Sequence, residues 1–511
     1  MFGATADREL LAIGAKAQHP DPAHRYDSAA AIIADFDRWR AMLPVRAMPD
    51  RRRYRIAKFV ERHRRGVMAT GAALVLLSAA SLIATSSYVR AEQSRRSAAA
   101  RFGEVRTLSG FMLFDLYDQL AAKPGTVAAR AQLAATSAQY LDRLHVAADA
   151  PADLQLQTAI SFRRLAAIQG LPGTSNLGHP DLALVSLARA EALLRGLIAA
   201  GPRDEAVWAQ LGWVLSDRWS LHRDGAQSQA LNAAARAAFA RALALASADP
   251  VARAGAIQSE ENAAYDLIWT ADAPAVALVR ARRALASLRA QRWPVAFTDQ
   301  VATLQIQLLD RIGDALYYGG DIPGSLAPYR EADALIDRMI ATRGAIPTWL
   351  IRKGESAFNI SGSLGDMPGR EADALAVAQD GIASLTQLLG FGPDAAAEKK
   401  LLVLLGQKAA LLDQLGRTHD ALTPSLASVS LRERRLAGSP GDAQRRRDLA
   451  IGIAPYAELL AKDGQPRPAC AAAGRAVAIW AGLQREGTLG VLDARKNAPH
   501  AQTLQRNFCT P

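Results

Sequence analysis

The sequence predicts an all-α protein in which a single transmembrane helix precedes a long array of stacked helical hairpins. Half of the 511 residues are hydrophobic and only 6% are aromatic. This composition is typical of packed helices and not of a β-sandwich. Apolar residues recur at spacings of three and four, as in ALVSLARAEALLRGLIAA (183–200), whereas strict two-residue alternation is scarce.

One uncharged stretch, residues 67–89, is long enough to cross a membrane. Its 23 residues, VMATGAALVLLSAASLIATSSYV, lie between the basic segments RRRYRIAKFVERHRR and RAEQSRR. At 1.5 Å per residue the stretch reaches about 34 Å, against a hydrocarbon core of roughly 30 Å. Its small residues leave a buried helix of a soluble protein as one alternative. A cleaved signal peptide is disfavoured, because such peptides lie at the extreme N-terminus and have a shorter apolar core.

The distribution of cations predicts the orientation of this helix. Residues 51–65 hold eight Lys or Arg, whereas the fifteen residues after the helix hold four. By the positive-inside rule, the N-terminus lies in the cytoplasm and residues 90–511 lie outside. The predicted location is therefore the inner, cytoplasmic membrane, with the C-terminal domain in the periplasm of a Gram-negative source.

The net charge of +12 is not concentrated in the way that a nucleic-acid-binding protein requires. Residues 1–89 carry 14 basic and 8 acidic side chains, and residues 90–511 carry 47 and 41. Because no groove-sized basic patch is indicated, we expect no nucleic-acid partner. The basic juxtamembrane segment over 51–66 instead predicts attraction to anionic lipid.

Two shorter regions flank the predicted membrane helix. Residues 1–50 are predicted to form two helices, the second capped by Asp27 or Ser28, and are too short to be a domain by themselves. Residues 90–149 are predicted to form membrane-proximal helices: one leaving the membrane and a second after the turn at KPGT. A helix continuous with the span would couple the outside to the inside.

Beyond residue 150 the predicted helices come in pairs and carry a weak internal repeat. One copy places a small residue, a loop glycine, a small residue, a bulky residue and a small residue at the offsets of a tetratricopeptide repeat. These residues are Gly313, Gly320, Ser325, Tyr329 and Ala332. Two further copies use Ala409, Gly416, Ala421, Ser425 and Ser428, and Ala457, Gly464, Ala469, Ala473 and Ala476. A distorted copy after an inserted LPGTSN uses Gly178, Ala183, Leu187 and Ala190.

This frame has a physical meaning, because small side chains let two helices approach while a bulky one fills the neighbouring gap. We expect Gly313, Ala409 and Ala457 at close helix crossings and Gln407 at the surface. Residues 150–511 are therefore predicted to form a tetratricopeptide-like solenoid. Generic helical hairpins without that geometry are the alternative.

The only two cysteines, Cys470 and Cys509, both lie in the part predicted to face outside. In an oxidising compartment they can form a disulfide that closes a loop over the last helix hairpin and contributes about 3–4 kcal/mol. Two separate thiols, one of them buried, are the alternative. So few cysteines exclude a zinc ribbon or a disulfide-dense scaffold.

The order of these parts resembles a known family. ELLAIGAKAQHPDPAHRYDSAAAIIADFDRWRAMLPVRAMPD (9–50) resembles the closing helices of the large lobe of bacterial serine/threonine protein kinases, where a DPxxRY-type turn precedes the final helix. The segments RYRIAKFVERHRR and FGEVRTLSGFMLFDLYDQL, the span and the repeats are similar to those of proteobacterial membrane-bound kinases with periplasmic tetratricopeptide repeats. The resemblance implies a receptor-like arrangement in which the repeats form the sensor.

The catalytic core of that family is not expected in this chain. Phosphoryl transfer there needs a glycine-rich loop, a strand lysine, a His-Arg-Asp loop and an Asp-Phe-Gly motif, and too few residues precede Glu9 to hold them. His222-Arg223-Asp224 is interpreted as coincidence, because Gln229 stands where the family has asparagine. Arg25 matches an arginine whose ion-pair partner in the family is absent here, so we expect poorly ordered N-terminal helices.

No other catalytic, cofactor-binding or metal site is predicted. The eight histidines never pair at metal-ligand spacing on one helix. The glycines of LGDMPGR and LPGTSNLGHP follow no buried strand and mark loops rather than phosphate cradles. The carboxylates are interleaved with arginines, a pattern typical of solvated helix faces.

Three functions remain open at this point. The first is a non-catalytic, membrane-anchored repeat protein, the sensor or interaction part of a receptor-like kinase, which binds a protein or peptide on the concave face of the repeats. The second is the C-terminal part of an active serine/threonine kinase with a misassigned start. The third is a periplasmic assembly scaffold. A homodimer is compatible with each.

Overall fold

The computed structural model describes residues 3–49, 51–110, 116–133, 135–136, 152–201, 204–221, 225–490 and 493–509. Within these residues the chain is helical and contains no strand. It divides into two compact units, Met1–Val105 and Arg106–Pro511. The first four helices are α1 (Gly3–Ala17), α2 (Ala29–Arg40), α3 (Arg52–Arg62) and α4 (Arg64–Gly110).

Two buried carboxylates organise the first unit. Asp35, only 1% exposed, accepts hydrogen bonds from the Tyr26 hydroxyl at 2.7 Å and from the backbone N–H groups of Arg46 and Ala47 at 2.6 and 2.9 Å. Glu9 accepts a hydrogen bond from the Tyr54 hydroxyl at 2.7 Å. The helices before the apolar stretch therefore share a polar core of their own.

The N-terminal segment differs from expectation at Arg25. Its guanidinium donates to the backbone carbonyls of His19 and Pro20 at 2.5 and 3.1 Å, so the absent glutamate does not leave it without a partner. Of the two candidate caps for α2, Ser28 is the one used, since its hydroxyl accepts from the backbone N–H of Ala31 at 3.2 Å.

Helix α4 contains an apolar stretch, Arg64–Gln93, that is long enough to cross a membrane. None of this stretch is buried within the protein. Leu76 and Ile83, for example, expose 69% and 66% of their surface. A core helix of a soluble protein would instead bury one face.

Two short helices follow α4 in the described part of the second unit: α5 (Tyr117–Ala121) and α6, described over residues 127–133 and 135–136. The end of the second predicted membrane-proximal helix lies outside the described residues, as does His222-Arg223-Asp224. The described part then contains seven consecutive helical hairpins, which α21 (Ala498–Phe508) follows.

Each hairpin pairs a first helix with a second helix of similar length. The first helices are α7 (Ala152–Gly170), α9 (Glu205–Leu221), α11 (Pro250–Trp269), α13 (Thr298–Tyr318), α15 (Pro347–Gly365), α17 (Ala395–Gln414) and α19 (Ala443–Lys462). The second helices are α8 (Pro180–Ala199), α10 (Gly225–Leu245), α12 (Pro274–Ala290), α14 (Ile322–Arg343), α16 (Glu371–Gly390), α18 (Thr418–Ala437) and α20 (Pro466–Arg485).

Local sequence accounts for where these helices begin and turn. Asp249, Asp394 and Asp442 each cap a first helix by accepting hydrogen bonds from backbone N–H groups of its first turn. Between first and second helices, the three loop glycines of the repeat frame have positive φ, which side chains disfavour. These angles are +91° at Gly320, +73° at Gly416 and +74° at Gly464.

The small residues of the repeat frame lie in the interior of the stack. Ser325, Tyr329 and Ala332 are buried, and the same is true of Ala409, Ala421, Ala457 and Ala469. Ala183, Leu187 and Ala190 of the distorted copy are also buried. The described hairpins are therefore tetratricopeptide-like helical repeats.

The expectation for Gln407 is wrong. Gln407 is half-buried on α17, and its amide nitrogen donates to the carbonyl of Phe358 on α15 at 3.3 Å. The exposed residue of this helix turn is Ala410. A polar glutamine suggested an exposed position, but the neighbouring hairpin covers this face of α17.

A disulfide joins Cys470 on α20 to Cys509, the residue after α21. The two Cα atoms are 4.9 Å apart across a sequence separation of 39 residues. The bond ties the last helix to the seventh hairpin.

Candidate functional site

The first helices form the inner row of the hairpin array. Successive first helices contact each other directly, as α9 does with α11, α11 with α13, and α15 with α17. No comparable contact joins successive second helices in the described part of the chain. An array curves toward the side on which its helices approach most closely, so the first helices line its concave face.

Charged side chains link neighbouring helices of this inner row. Three ion pairs carry these links: Arg163 to Asp217 at 2.5 Å, Arg311 to Glu261 at 3.1 Å, and Lys400 to Glu355 at 2.6 Å. They join α7 to α9, α11 to α13, and α15 to α17, respectively. We call these six residues the inner ladder.

Asp310 occupies the middle of the inner row. It is only 3% exposed and accepts a hydrogen bond from the Asn359 amide at 3.3 Å. Burial, and secondarily the charge of Glu355, raise the pKa of Asp310 to about 8. The pKa of Glu355 shifts downward despite burial, because Lys400 and Arg352 stabilise its charge. One of these two neighbouring carboxyls therefore holds its proton near neutral pH, while the other stays ionised.

Asp314 lies one turn further along α13 and is also buried. It binds the Arg311 guanidinium at 2.6 Å and accepts a hydrogen bond from the Tyr329 hydroxyl at 2.6 Å. Burial raises the pKa of Asp314, and Arg311 opposes this shift. Tyr329 thus has two roles, since its ring fills a repeat packing position and its hydroxyl serves a carboxylate of the inner row.

Several buried polar atoms on the same helix faces have no hydrogen-bond partner among the described residues. They are Oε1 of Gln307 on α13, Oγ of Ser356 on α15 and Oε1 of Gln407 on α17. Gln307 lies one turn before Arg311 on α13. Ser356 directly follows Glu355 on α15, and Gln407 lies two turns after Lys400 on α17. Buried polar groups are rarely left unpaired, so these three atoms mark hydrogen-bonding capacity that the repeat stack does not use.

The loop between α7 and α8 closes the array on itself. The N–H of Ala395 donates to the carbonyl of Asn176 at 3.3 Å. Arg445 donates to the carbonyl of Gly178 at 3.1 Å. The first hairpin therefore meets the start of the sixth and seventh hairpins, more than 200 residues later in the chain.

A buried arginine supports this closure from outside the hairpins. Arg130 on α6 donates to the hydroxyl and carbonyl oxygens of Ser175 at 2.8 and 2.5 Å. The Ser175 hydroxyl in turn donates to Asp394, the cap of α17. We call Arg130, Ser175 and Asp394 the closure network.

The sequence-based interpretation of the carboxylates is wrong for the inner row. Asp310, Asp314 and Glu261 are buried rather than on solvated helix faces. A signal was present, because charged residues directly flank the close-packing glycines: Asp314 follows Gly313, and Glu355 follows Gly354. The residue after a close-packing glycine lies about 100° further around the helix, at the edge of the packed face, where a neighbouring helix can cover it.

The remaining site predictions concern metal ions and the basic juxtamembrane segment. Among the described residues, no group of three His, Cys, Asp or Glu side chains is placed to hold a metal ion. In the juxtamembrane segment, Lys58 is buried and binds Glu9 at 3.0 Å and Glu61 at 3.4 Å. This cation is therefore paired inside the protein and is not one of the exposed charges of the juxtamembrane segment.

Comparisons with known proteins give the following. No protein-family model matches the chain, and no curated protein matches it. The apo form of RapI is 11% identical over 79% of this chain and 98% of its own, with a TM-score of 0.36. Aspartyl phosphate phosphatase F from Bacillus subtilis is 12% identical over 73% and 93%, also with a TM-score of 0.36.

A third similar structure is the TPR domain of P58(IPK), which is 14% identical over 64% of this chain and 95% of its own, with a TM-score of 0.21. Likenesses this distant carry no argument about function. The assignment of tetratricopeptide-like repeats rests on the seven hairpins and on the register of their small residues. Such a repeat array is suited to protein–protein interaction.

Proposed function

We propose that the concave face of the repeats binds an extended segment of a protein or peptide. The observation that carries this proposal is the set of unpartnered buried atoms on three successive first helices: Gln307 Oε1, Ser356 Oγ and Gln407 Oε1. Because Gln307 and Gln407 are only half-buried, a rotation of their terminal amides would turn these oxygens toward a bound peptide, whose main-chain N–H groups lie at regular spacing. A purely structural stack gains nothing from leaving them unpaired.

The inner ladder supports the same proposal. Burying charges costs free energy that apolar packing would avoid, so buried ion pairs are weak evidence for a role in stability alone. Arg311, Glu355 and Lys400 of this ladder lie on the first helices α13, α15 and α17, and none of the three is fully buried. They would recognise both polar main-chain groups and charged side chains of a ligand.

Peptide selection tests this proposal. The full chain in nanodiscs is panned against a random peptide library, and the dissociation constants of selected peptides are measured for the wild type and for Gln307→Leu and Gln407→Leu. We expect each substitution to weaken binding by about tenfold, since it removes a hydrogen-bond acceptor offered to the ligand. Gln407→Leu also removes the hydrogen bond to the Phe358 carbonyl, so thermal melts check that both variants stay folded. Ala410→Leu, on an exposed position of the same helix as Gln407, serves as the control and should bind normally. Selected peptides that bind all four proteins equally would refute the site.

We further propose that α4 anchors the protein as a single-pass helix, with the N-terminus in the cytoplasm and the repeats in the periplasm. The exposed apolar surface of Arg64–Gln93 supports the anchor, and the excess of cations over residues 51–65 supports the orientation. Alkaline phosphatase fused after Arg65 should be inactive, and the same enzyme fused after Pro511 should be active. The reverse pattern would refute the orientation.

We also propose that the chain is the sensor or interaction part of a receptor-like serine/threonine kinase. The resemblance of residues 9–50 to the end of a kinase large lobe supports this link. An open reading frame that continues upstream of Met1 into kinase motifs would support an active kinase with a misassigned start. Purified chain should not label itself with phosphate from ATP and magnesium, and stoichiometric autophosphorylation would refute the non-catalytic assignment.

A further inference from the structure

A groove with a volume of about 810 Å³ lies between α10, α11 and α12. Residues of α11 line its floor, and the second helices α10 and α12 form its walls. Because second helices form the outer row, this groove is separate from the concave face. On the α12 wall, Val276 and Val279 expose 55% and 58% of their surface, and Ile257 of α11 lies between the walls.

The groove has a local structural cause. Gly255 on α11 packs back against the preceding hairpin, where a Cβ atom would lie 2.6 Å from Cδ1 of Phe239 on α10. In the fourth hairpin, by contrast, Gly313 near the end of the first helix packs forward against its own second helix through Tyr329. Gly255 therefore lets α11 lie close to Phe239 of α10, and the groove remains above α11, between α10 and α12.

Arginines dominate the rim of the groove. Arg236, Arg253, Arg280 and Arg283 line it together with a single carboxylate, Glu260. Glu260 is already bound by Arg280 at 2.7 Å and lies 4.0 Å from Arg236. Arg283 is exposed and makes no ion pair within the described part of the chain.

One of these arginines is held in place by the protein itself. Arg253 donates to the Gln291 side chain at 2.7 Å and to the carbonyl of Arg292 at 2.8 Å, and its guanidinium lies 4.6 Å from the centre of the Trp293 ring. Its position on the rim is therefore fixed before any partner binds, which lowers the entropy cost of recognition.

We infer that this groove is a docking site for an amphipathic helix of a partner protein, with apolar residues on one face and acidic residues beside them. The apolar walls provide the burial, and the rim of four arginines and one neutralised glutamate selects negative charge. A helix suits the space because the groove runs between helices: its walls present helical ridges, into which another helix packs. This site does not depend on peptide binding at the concave face.

A synthetic peptide tests the site directly. The probe is a fluorescent helical peptide of about 17 residues, the length of α12 itself, with leucines along one face and glutamates beside them. Its binding to the full chain in nanodiscs is followed by fluorescence anisotropy. A second peptide replaces every glutamate by lysine. We expect the acidic peptide to bind and the basic peptide to bind at least about tenfold more weakly, because only the first complements the arginines.

A matched pair of variants locates the binding site. Arg283→Glu reverses a charge on the groove rim, and Arg282→Glu makes the same change at the adjacent exposed residue, which does not line the groove. Arg283→Glu should weaken the acidic peptide by about tenfold, whereas Arg282→Glu should change it less than about twofold. Val276→Asp should weaken it similarly, and Leu182→Asp, an equally exposed position on α8, should not.

Four results would overturn the inference. These are equal binding of the acidic and basic peptides, equal effects of Arg282→Glu and Arg283→Glu, no binding of the acidic peptide at any accessible concentration, and full displacement of it by an anionic detergent that binds the groove with higher affinity. The last result would identify the groove as a site for small amphiphiles. Circular dichroism of each variant checks that loss of binding is not loss of fold.

Discussion

Gly313 on α13 and Tyr329 on α14 are in such close contact that a Cβ atom at residue 313 would lie only 2.5 Å from Cζ of the tyrosine ring. The hydroxyl of the same ring donates to Asp314, the residue after Gly313. One side chain therefore connects the packing of the hairpin with the polar groups of the inner row, and both parts of this contact can be tested separately.

The packing part predicts that bulky substitutions at the helix crossings destabilise the array. Ala409→Leu and Gly313→Leu should each cost about 1–3 kcal/mol of unfolding free energy, because no space exists for the added atoms. Ala410→Leu, at the exposed neighbour, should stay within about 0.5 kcal/mol. Thermal melts of the full chain measure the difference, and identical melting of Ala409→Leu and Ala410→Leu would show that the repeat register is wrong.

The polar part predicts a cost for removing the Tyr329 hydroxyl alone. Tyr329→Phe keeps the ring in place but removes a donor from the buried Asp314 carboxyl, so it should cost about 1–3 kcal/mol. Denaturant titration of wild type and Tyr329→Phe measures this value. The double variant Tyr329→Phe, Asp314→Asn should lose less than the two single variants added together, since the two groups interact. Simple additivity would show that they do not.

The raised pKa of Asp310 predicts a pH dependence of stability. Its pKa lies near 8 in the folded protein, against 3.8 as the ordinary value. Between these values the unfolded chain has lost the proton that the folded protein keeps, so this group favours unfolding more strongly as the pH rises. Its contribution is complete below about pH 4 and falls by up to roughly 1.4 kcal/mol per pH unit toward pH 8.

Asp310→Asn should remove this contribution, because an amide does not titrate. Unfolding free energies at several values between about pH 5 and pH 8 should therefore fall less steeply for the variant than for the wild type. Glu355 does not confuse the test, since its lowered pKa acts below its ordinary value of 4.5. Parallel pH profiles for the two proteins would contradict the burial of a protonated Asp310.

The closure network predicts that one arginine holds the first hairpin against the later ones. Arg130→Ala removes two hydrogen bonds to Ser175 and should raise the hydrogen-exchange rate of residues 171–178, at a cost of about 1–3 kcal/mol. Arg417→Ala breaks only an exposed ion pair with Asp420 and should leave that exchange unchanged. Equal protection of the loop in wild type and Arg130→Ala would mean that closure does not depend on this residue.

Because a disulfide ties α21 to α20, we expect the C-terminal end to be fully stable only under oxidising conditions. Cross-linking residues 39 apart restricts the unfolded chain by about 4 kcal/mol on the loop-entropy model. Cys470→Ser, Cys509→Ser and reduced wild type should show the same loss of protection in α21, because each lacks the same bond. A difference among the three would point to a role of an individual thiol.

The repeat architecture shows how much local sequence determines. Helical periodicity, the aspartate caps and the loop glycines at 320, 416 and 464 depend on residues a few positions apart, and so does the offset from Gly313 to Tyr329. Each of these is fixed by steric and hydrogen-bonding preferences of neighbouring residues. The all-helical fold and the register of its repeats could therefore be predicted from the sequence.

The tertiary structure decides which distant parts of the hairpin array come into contact. Asn176 meets Ala395 and Gly178 meets Arg445 because a small rotation at every hairpin adds up over the array until its ends meet. No local sequence pattern encodes this accumulated rotation. The burial of Asp310, the covering of Gln407 and the groove beside α11 depend instead on how neighbouring hairpins stack, since residues far apart in the sequence come to lie together there. For this reason the sequence determined the repeats, and only their stacking decided the candidate sites.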